Sequence, residues 1–355
     1  MASNFAYINL TGNPRERGRH YGAAASSQIR VSCDLYARLF AAYAALDWEG
    51  AKNKALRFAE AIAAYCPDAL EEMRGIAEGC GLGYEDILAL NCRSELMFAL
   101  PDGCSTIALL PEHADGKTIL AQTWDWLIEC RPATVILEIH QEPLPTILTV
   151  AEAGMVGGKG INSNGLGVCL NALGVGWGRP GVPLHILYRG ILNSKSISNA
   201  LNSLMAAKRA GSGVFTIGSA CGAALSFEYT PDNFDVLLPE KEPLCHTNHY
   251  LSPLFTGADT FKAMLPCTFI RYNLLRRQIL GHRGQFTLDD VWSILSNHVN
   301  FPDSICSHED PEDAPMSRFC SIYGVAMDLN AKTLWVTNGN PCEGPAYPFF
   351  VASAG

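Results

Sequence analysis

The sequence lacks any long hydrophobic run. None of its 355 residues falls in an uninterrupted apolar stretch of the roughly 18 to 20 residues that a membrane-spanning helix needs. The N-terminal segment MASNFAYINLTGNPRERG also lacks the basic start and apolar block of a signal peptide. The final residues, Ser353, Ala354 and Gly355, do not match a Ser-Lys-Leu peroxisomal address. We therefore expect a cytoplasmic protein that does not act at a membrane.

Clusters of positive charge are equally scarce. The formal net charge is −9, whereas nucleic-acid binding requires clustered cations that displace counterions from the phosphates. The nearest candidate is Arg271 with Arg276 and Arg277, in a segment with helical spacing, and we interpret it as a solvated helix face. The sequence thus predicts a small-molecule or peptide substrate and no nucleic-acid partner.

The thirteen cysteines form no recognisable pairs. Their number is odd, they are scattered from Cys33 to Cys342, and no paired CxxC zinc pattern occurs. These absences argue against a disulfide framework and against a standard zinc site. Most of the cysteines are predicted to be buried, reduced thiols that act as small hydrophobic residues. A reactive cysteine must therefore be identified from its surroundings.

The apolar pattern changes at about residue 104. Residues 22–46, 51–65, 67–78 and 84–90 have the three- and four-residue spacing of amphipathic helices, which predicts a helical unit over residues 1–103. Beyond it, two helical regions near 183–208 and 261–297 interrupt a series of short β-rich segments, and glycines 157, 158, 160 and 165 are predicted to mark turns. The predicted strands are 106–110, 118–123, 134–140, 146–151, 166–171, 214–217, 223–229, 321–327 and 333–337. This order predicts an α+β layered fold with a substantial antiparallel sheet.

The strongest candidate for the reactive cysteine is Cys104, at the junction between these two parts. Gly103 precedes it, and a residue without Cβ would let the thiol reach the preceding carbonyl group. Scission between the two residues would give Cys104 a free α-amine, whose pKa of about 7.7 to 8 suits a general base near neutral pH. The alternative is that Gly103 belongs to a simple turn and Cys104 to the core.

Three other polar positions extend this hypothesis. Asp125 lies between two tryptophans in QTWDW, where a carboxylate needs a cationic partner such as the new ammonium group. Asn248 lies in HTNH, and its amide could donate to an oxyanion, while a metal site at His246 and His249 lacks an obvious third ligand. Arg318 precedes a predicted strand and is either an anchor for a thiolate or carboxylate or a surface arginine. The glycine-rich EAGMVGGKG does not fit the GxxxxGK nucleotide loop.

These segments, in this order, resemble the fungal acyl-coenzyme A:6-aminopenicillanic acid acyltransferase family within the N-terminal-nucleophile hydrolase superfamily. The resemblance covers nearly the whole chain. It includes EEMRGIAEG, DGCST, QTWDW, EAGMVGGKGINSNGLGV with LNAL, GVPLHI, HTNH, FPDSIC and the final SR pair. It implies a four-layer αββα fold, cut into a chain of residues 1–103 and a chain of residues 104–355 that stay associated as a heterodimer.

The resemblance also implies roles for five residues. Cys104 matches the family's nucleophile and Gly103 the residue before the scissile bond. Asp125 matches the aspartate that holds the nucleophile's α-amine, Asn248 the asparagine of the oxyanion hole, and Arg318 the arginine beside the sulfur.

Four further positions are matched less directly. Thr106 matches a threonine that assists processing, and Asn171 a second, weaker oxyanion position. Ser105 and Trp126 stand where the penicillin enzyme has other residues lining its entrance and acyl pocket. The mechanism should therefore transfer better than the substrate.

The implied reaction moves an acyl group, from acyl-coenzyme A, through a Cys104 thioester to an amine of an amino acid, peptide or peptide-derived acceptor. The implied setting is specialised metabolism, and no metal or bound cofactor is required. Two alternatives stay open, namely an amidase of the same fold and a non-catalytic scaffold that binds a ligand in the same cleft.

Overall fold

Fourteen strands organise the protein, which is described by a computed structural model for residues 5–97, 103–176 and 179–352. Asp102 of the DGCST motif and the last three residues lie outside this described part. The strands are β1 (Ala6–Leu10), β2 (Gly103–Leu109), β3 (Ile119–Leu127), β4 (Thr134–Ile139), β5 (Ile147–Glu152), β6 (Lys159–Asn162), β7 (Leu166–Ala172), β8 (Gly213–Ser219), β9 (Ala223–Tyr229), β10 (Phe234–Leu237), β11 (Leu244–His246), β12 (Phe319–Asp328), β13 (Thr333–Thr337) and β14 (Ala346–Phe350).

These strands form two sheets. The larger has eight strands in the order β1-β4-β5-β6-β7-β8-β9-β10, and the smaller has six in the order β11-β2-β3-β12-β13-β14. The named strands pair antiparallel except for β1 with β4. In the smaller sheet, β2 and β3 lie side by side near the centre, so residues at their ends are enclosed by neighbouring strands.

Helices cover the outer faces of both sheets. They are α1 (Pro14–Ala24), α2 (Ser26–Ala44), α3 (Trp48–Ala55), α4 (Ala59–Tyr65), α5 (Pro67–Cys80), α6 (Tyr84–Asn91), α7 (Arg93–Met97), α8 (Leu184–Leu192), α9 (Ile197–Ala206), α10 (Phe261–Met264), α11 (Cys267–Gly281) and α12 (Leu288–Leu295). Helix α8 packs on β6 and β7 of the larger sheet, whereas α11 and α12 pack on the smaller sheet at β2, β3 and β12. Short 3-10 segments are Leu56–Phe58, Ile128–Ala133 and Pro315–Ser317.

The two largest apolar clusters among the described residues hold these layers together. The larger spans both sheets and the N-terminal helices and includes Trp124 and Trp126 from β3. The smaller lies between the six-stranded sheet and α11 and α12, and includes Ile107 from β2 and Leu275 from α11. Successive residues of a strand point to opposite faces, so β2 and β3 contribute to both clusters. The predicted four-layer αββα fold is confirmed.

The predicted helices and strands occur with small shifts at their ends, and the differences have local causes. The first hundred residues are not wholly helical, because Ala6–Leu10 forms β1, with Ile8 and Leu10 buried. Gly160, predicted to lie in a turn, belongs to β6, where a Cβ would lie 2.3 Å from the carbonyl oxygen of Leu148. The predicted turn at Gly165 is confirmed, with φ of 73°. Within the described residues, no helix has the length and apolar character needed to span a membrane.

Candidate active site

The β2–β3 ladder brings the proposed scissile bond beside the QTWDW segment. Gly103 pairs with Asp125 and Cys104 with Trp124. Directly paired residues point to the same face of a sheet. Gly103 and Asp125 therefore face α11, whereas Cys104 and Trp124 face the core between the sheets, where Cys104 is only 1% exposed.

Gly103 allows Asp125 to approach the main chain closely. A Cβ at position 103 would lie 2.6 Å from Asp125 Oδ2 and 2.9 Å from its Cβ, closer than side-chain atoms tolerate. The Asp125 carboxylate is itself held in place, because Ser321 Oγ on β12 donates to its Oδ1 at 2.6 Å. Gly103 thus allows the Asp125 carboxylate to approach the main chain, in addition to letting the Cys104 thiol reach the Gly103 carbonyl group.

Asn248 lies directly at the Cys104 backbone. The Cys104 N–H donates to Asn248 Oδ1 at 2.9 Å, and Asn248 Nδ2 donates to the Ala172 carbonyl oxygen at 3.2 Å. The Asn248 N–H donates to Thr268 Oγ1 at 2.8 Å, which fixes the backbone. A carboxamide nitrogen carries two N–H groups, so a second donor remains for a developing oxyanion.

Arg271 is the guanidinium at this site, and the interpretation of it as part of a solvated face is wrong. Arg271 is only 1% exposed, because it lies on the side of α11 that faces β2. Arg276, on the same helix, is exposed. Arg271 Nη1 donates to the Cys104 carbonyl oxygen at 2.6 Å and to Ser105 Oγ at 3.0 Å, and its Nη2 donates to Asn248 Oδ1 at 3.0 Å. Arg271 therefore links three groups around the proposed nucleophile.

Arg318 is hydrogen-bonded to main-chain carbonyl oxygens of the loop that precedes β12. Its Nε donates to the Asp313 carbonyl oxygen at 2.9 Å, and its Nη2 donates to the Pro311 carbonyl oxygen at 2.7 Å. These bonds close the loop just before β12. In this structure Arg318 stabilises that loop. Its role beside the Cys104 sulfur, which the family resemblance implies, stays a prediction.

Thr106 and Asn171 belong to one buried hydrogen-bond chain that joins the two sheets. Gln122 Nε2 donates at 2.6 Å to Thr106 Oγ1, which donates to Asn171 Oδ1 at 2.8 Å. Asn171 Nδ2 then donates to the His246 carbonyl oxygen at 3.3 Å, next to the segment that carries Asn248. The chain fixes the spacing between β2 and β7 at the site.

A narrow cavity of about 40 Å³ lies between the sheets on the Cys104 face. Its lining includes Trp124, Tyr323, His185 and Lys159. The Lys159 ammonium lies 5.0 Å from the centre of the Trp124 ring and 5.5 Å from that of Tyr323. Burial lowers the pKa of His185 to about 3, so its imidazole is neutral.

The two residues predicted to line the substrate pocket are buried in other surroundings. Ser105 accepts the hydrogen bond from Arg271 on the α11 face. Trp126 is stacked on Phe319, with ring centres 5.4 Å apart, and its indole N–H has no hydrogen-bond partner among the described residues. Trp124, two residues earlier on the same face of β3, lines the cavity instead. Because residues two apart in a strand share a face, alternation alone does not distinguish Trp124 from Trp126.

The two histidines of HTNH are engaged in hydrogen bonds. His246 Nε2 lies 2.7 Å from Glu228 Oε1, and its Nδ1 lies 2.8 Å from the Thr247 carbonyl oxygen. His249 Nδ1 lies 2.9 Å from Thr268 Oγ1. Burial, aided by the charges of His246 and Arg271, lowers the pKa of His249 to about 4. Both rings therefore act as supports for the segment that presents Asn248.

Two curated proteins resemble the chain over long ranges. The acyl-coenzyme A:6-aminopenicillanic-acid-acyltransferase 40 kDa form of Emericella nidulans is 26% identical over 341 residues, which are 94% of this chain and 93% of that protein. Protein dcd1A of Dictyostelium discoideum is 28% identical over 248 residues, which are 60% of this chain and 55% of that protein.

The fold also matches a solved structure. A mutant of the conjugated bile acid hydrolase from Clostridium perfringens superposes with a TM-score of 0.51 at 11% identity, covering 70% of this chain and 92% of that one. This likeness supports the N-terminal-nucleophile hydrolase fold. The family model for acyl-coenzyme A:6-aminopenicillanic acid acyl-transferase matches residues 112–343, which is more than half of the chain. The chain therefore belongs to this family of acyltransferases and is an enzyme, either an acyltransferase or an amidohydrolase of this fold.

Proposed function

We propose that the chain cleaves itself between Gly103 and Cys104 and then transfers acyl groups through the Cys104 sulfur. The observation that carries the proposal is the convergence of Asp125, Asn248 and Arg271 on the Gly103–Cys104 segment, each through a close contact or hydrogen bond. The range matched by the family model begins after Cys104, so the support for Cys104 as the nucleophile comes from these contacts and from the sequence resemblance.

Self-cleavage would proceed by an acyl shift from nitrogen to sulfur. Cys104 Sγ attacks the Gly103 carbonyl carbon, the bond to the Cys104 nitrogen breaks, and that nitrogen takes up a proton as it becomes the α-amine. Water then hydrolyses the thioester, giving the Gly103 carboxylate and the Cys104 thiol. The chains 1–103 and 104–355 would remain together, because the largest apolar cluster contains buried residues of both parts.

Turnover would use the same atoms. The new α-amine removes the thiol proton as Sγ attacks the donor thioester, and the coenzyme A thiol leaves after accepting that proton. An acceptor amine then attacks the acyl-thioester, and the Cys104 thiol is regenerated. Asn248 Nδ2 would stabilise the oxyanion, and Asp125 would hold the α-ammonium group. Water in place of the amine gives hydrolysis, which is the amidohydrolase alternative.

The cavity supports an acceptor that carries a carboxylate. Lys159 is 6% exposed, and its ammonium group makes no hydrogen bond or ion pair with any residue in the described ranges. A buried ammonium group loses much of its hydration, and the rings of Trp124 and Tyr323 compensate for only part of that loss, so an anionic partner would stabilise it further. The carboxylate of an amino acid or peptide-derived acceptor, lying over the aromatic rings of Trp124 and Tyr323, would supply that partner.

Intact-mass analysis of the purified protein tests self-cleavage. We expect two fragments, residues 1–103 and 104–355, in the wild type and in Cys169→Ala, which removes another buried thiol. Cys104→Ala should remain one chain. Gly103→Ala should also remain uncleaved, because its methyl group would displace the Asp125 carboxylate. Cleavage in Cys104→Ala would disprove the role of the thiol.

Product analysis tests the transfer step. Cleaved protein is incubated with several acyl-coenzyme A thioesters, with and without amino-acid amines, and the products are identified by mass spectrometry. An N-acyl amino acid that forms only with the amine present supports transfer. Free fatty or aryl acid at the same rate under both conditions supports hydrolysis, and no product from any donor favours the ligand-binding scaffold.

A further inference from the structure

Two histidines and two cysteines from separate segments converge on one point outside the active site. His298 follows α12, Cys306 and His308 precede β12, and Cys342 follows β13. Their ligand atoms all lie within 4.8 Å of one another, and both cysteines are free thiols. We call these four residues the Cys2His2 cluster.

Four of the six distances between ligand atoms of the cluster are close to those of a tetrahedral zinc site. Bonds of about 2.3 Å from zinc to sulfur and 2.0 to 2.1 Å from zinc to nitrogen place two nitrogens about 3.3 Å apart, two sulfurs about 3.8 Å apart and unlike atoms about 3.6 Å apart. The two Nε2 atoms are separated by 3.1 Å and the two Sγ atoms by 3.5 Å. His308 Nε2 lies 3.7 Å from Cys306 Sγ and 3.5 Å from Cys342 Sγ.

Ordinary hydrogen bonds do not account for this arrangement. His308 Nε2 faces three potential partners at once, namely His298 Nε2, Cys306 Sγ and Cys342 Sγ. A ring nitrogen has either one proton or one lone pair, so it can satisfy only one of them well. A cation at the common centre satisfies all four ligand atoms together.

We propose that the Cys2His2 cluster binds one structural zinc ion. The two thiols lose their protons to solvent, and two thiolates with two neutral imidazoles neutralise the charge of Zn²⁺. Soft sulfur ligands with imidazole favour zinc over magnesium or calcium. The Asn340 amide donates to Cys306 Sγ at 3.6 Å, which is the kind of outer contact that orients a thiolate ligand. Four protein ligands leave no open position, so the ion has no catalytic role.

The ion would hold the loop that supports Asp125. Ser307 lies between two ligands, and its N–H donates to Ser321 Oγ at 3.0 Å. That hydroxyl group in turn donates to Asp125 Oδ1 at 2.6 Å. Asn340 Nδ2 also donates to the Ser307 carbonyl oxygen, at 2.5 Å. The cluster therefore acts as a positioning element for the active site, through two serines.

Metal analysis of untagged protein, purified without chelator, tests the proposal. We expect one zinc per chain in the wild type and in Cys221→Ser, which alters an exposed cysteine in another part of the protein. The double variant His298→Ala/Cys342→Ser, which removes the two exposed ligands, should lose most of the zinc. A zinc chelator should lower the Tm of the wild type and of Cys221→Ser, but not that of the double variant.

Cobalt substitution keeps the proposal falsifiable if the double variant fails to fold. Cobalt(II) in the wild-type site should give thiolate-to-cobalt charge-transfer absorption and the intense visible bands of tetrahedral coordination. Protein that is free of zinc and gives no such absorption with cobalt would overturn the proposal. A disulfide between Cys306 and Cys342 in protein freshly purified under reducing conditions would also overturn it. Neither outcome bears on self-cleavage at Gly103, which is measured separately.

Discussion

The two faces of the β2–β3 ladder differ in character, and the difference divides the candidate site into two parts. The face toward α11 carries Gly103, Ser105 and Asp125, which meet the buried Arg271 and are held by hydrogen bonds. The face toward the larger sheet carries Cys104 and Trp124 and adjoins an aromatic cavity. One face holds the backbone of the proposed nucleophile, and the other adjoins the cavity proposed to bind the substrate.

The comparison explains why neighbouring residues in one strand should have different functional consequences. A change on the α11 face should shift Asn248 and the α-amine proposed to form at Cys104, and should affect both cleavage and turnover. A change on the cavity face leaves these groups in place and should affect the choice and affinity of substrate.

The largest effect is expected for Asn248, which connects the two faces. Asn248→Ala removes the amide that accepts from the Cys104 N–H and the donor proposed for the oxyanion. Loss of one oxyanion donor typically lowers kcat by about 10²- to 10³-fold. Turnover should be measured on protein shown to be cleaved, with Asn164→Ala, in the β6–β7 turn, as the control. Nearly full turnover in Asn248→Ala would exclude the oxyanion role.

The next prediction separates Arg271 from Arg318. A nearby guanidinium favours thiolate over thiol, so its removal should raise the pKa of the nucleophile. Arg271 interacts electrostatically with Cys104, so Arg271→Lys, whose shorter side chain moves the positive charge away from Cys104 and cannot keep the hydrogen bonds to both the Cys104 carbonyl oxygen and Asn248, should raise the apparent pKa of Cys104 alkylation in cleaved protein. Arg318→Leu should leave the profile unchanged, because Arg318 bonds to loop carbonyl oxygens.

The opposite result has an equally clear meaning. An alkylation profile that changes in Arg318→Leu and not in Arg271→Lys would support the role that the family resemblance gives to Arg318. It would also show that the loop before β12 rearranges in the cleaved enzyme. Circular dichroism of Arg271→Lys must match that of the wild type, because a buried arginine also contributes to folding.

A third effect, smaller than the first, is expected on the cavity face. Lys159→Met keeps much of the side-chain volume and removes the charge proposed to bind the acceptor carboxylate. A hydrogen bond to a charged group contributes about 1.5 to 3 kcal/mol, which corresponds to a roughly 10- to 100-fold rise in KM for the acceptor. Cleavage and the KM for the acyl donor should change little.

An acceptor amide, which lacks the carboxylate, is the matched control for Lys159→Met. If the wild type and the variant use the amide equally well, the charge acts on the carboxylate. An unchanged KM for the carboxylate acceptor would remove Lys159 from the acceptor site, and the division between the two faces would then rest on Trp124 alone.

The local sequence pattern was sufficient to predict most of the fold and part of the candidate active site. Period-two segments predicted β2 and β3, and the position of Gly103 before Cys104 at the first of them indicated the reactive bond. The proximity of Asp125 and Asn248 followed from the family resemblance, because residues so far apart in sequence meet only through the folding of the sheet. The structure brings both to the Cys104 segment.

The residues that sequence reasoning missed are defined by tertiary contacts. Arg271 shares its helix with two other arginines, and only the docking of α11 on β2 shows that it points inward. The ligands of the Cys2His2 cluster come from three segments with no standard spacing. Strand β6 was missed because glycine is common in turns. In β6, Gly160 instead lets the backbone of the strand lie close to β5.

The smallest predicted effect is the acid sensitivity that His185 gives to the cavity face. Burial lowers the pKa of His185 to about 3 from an ordinary value of 6.5. The folded protein thus binds fewer protons than the unfolded chain, and the contribution of His185 to stability is full above pH 6.5. It falls as the pH decreases toward the folded pKa, by about 1.4 kcal/mol for each pH unit.

His185→Gln, which is neutral throughout this range, should therefore show a flatter pH dependence of the free energy of unfolding. Urea unfolding measured between pH 7 and about 5 should give a slope smaller than that of the wild type by up to about 1.4 kcal/mol per pH unit. The slope should not vanish, because burial also lowers the pKa of His249, to about 4. His20→Gln, at an exposed position, is the control and should follow the wild type. Equal slopes in His185→Gln and the wild type would show that water reaches the His185 ring and that the cavity face is more open than its narrow volume indicates.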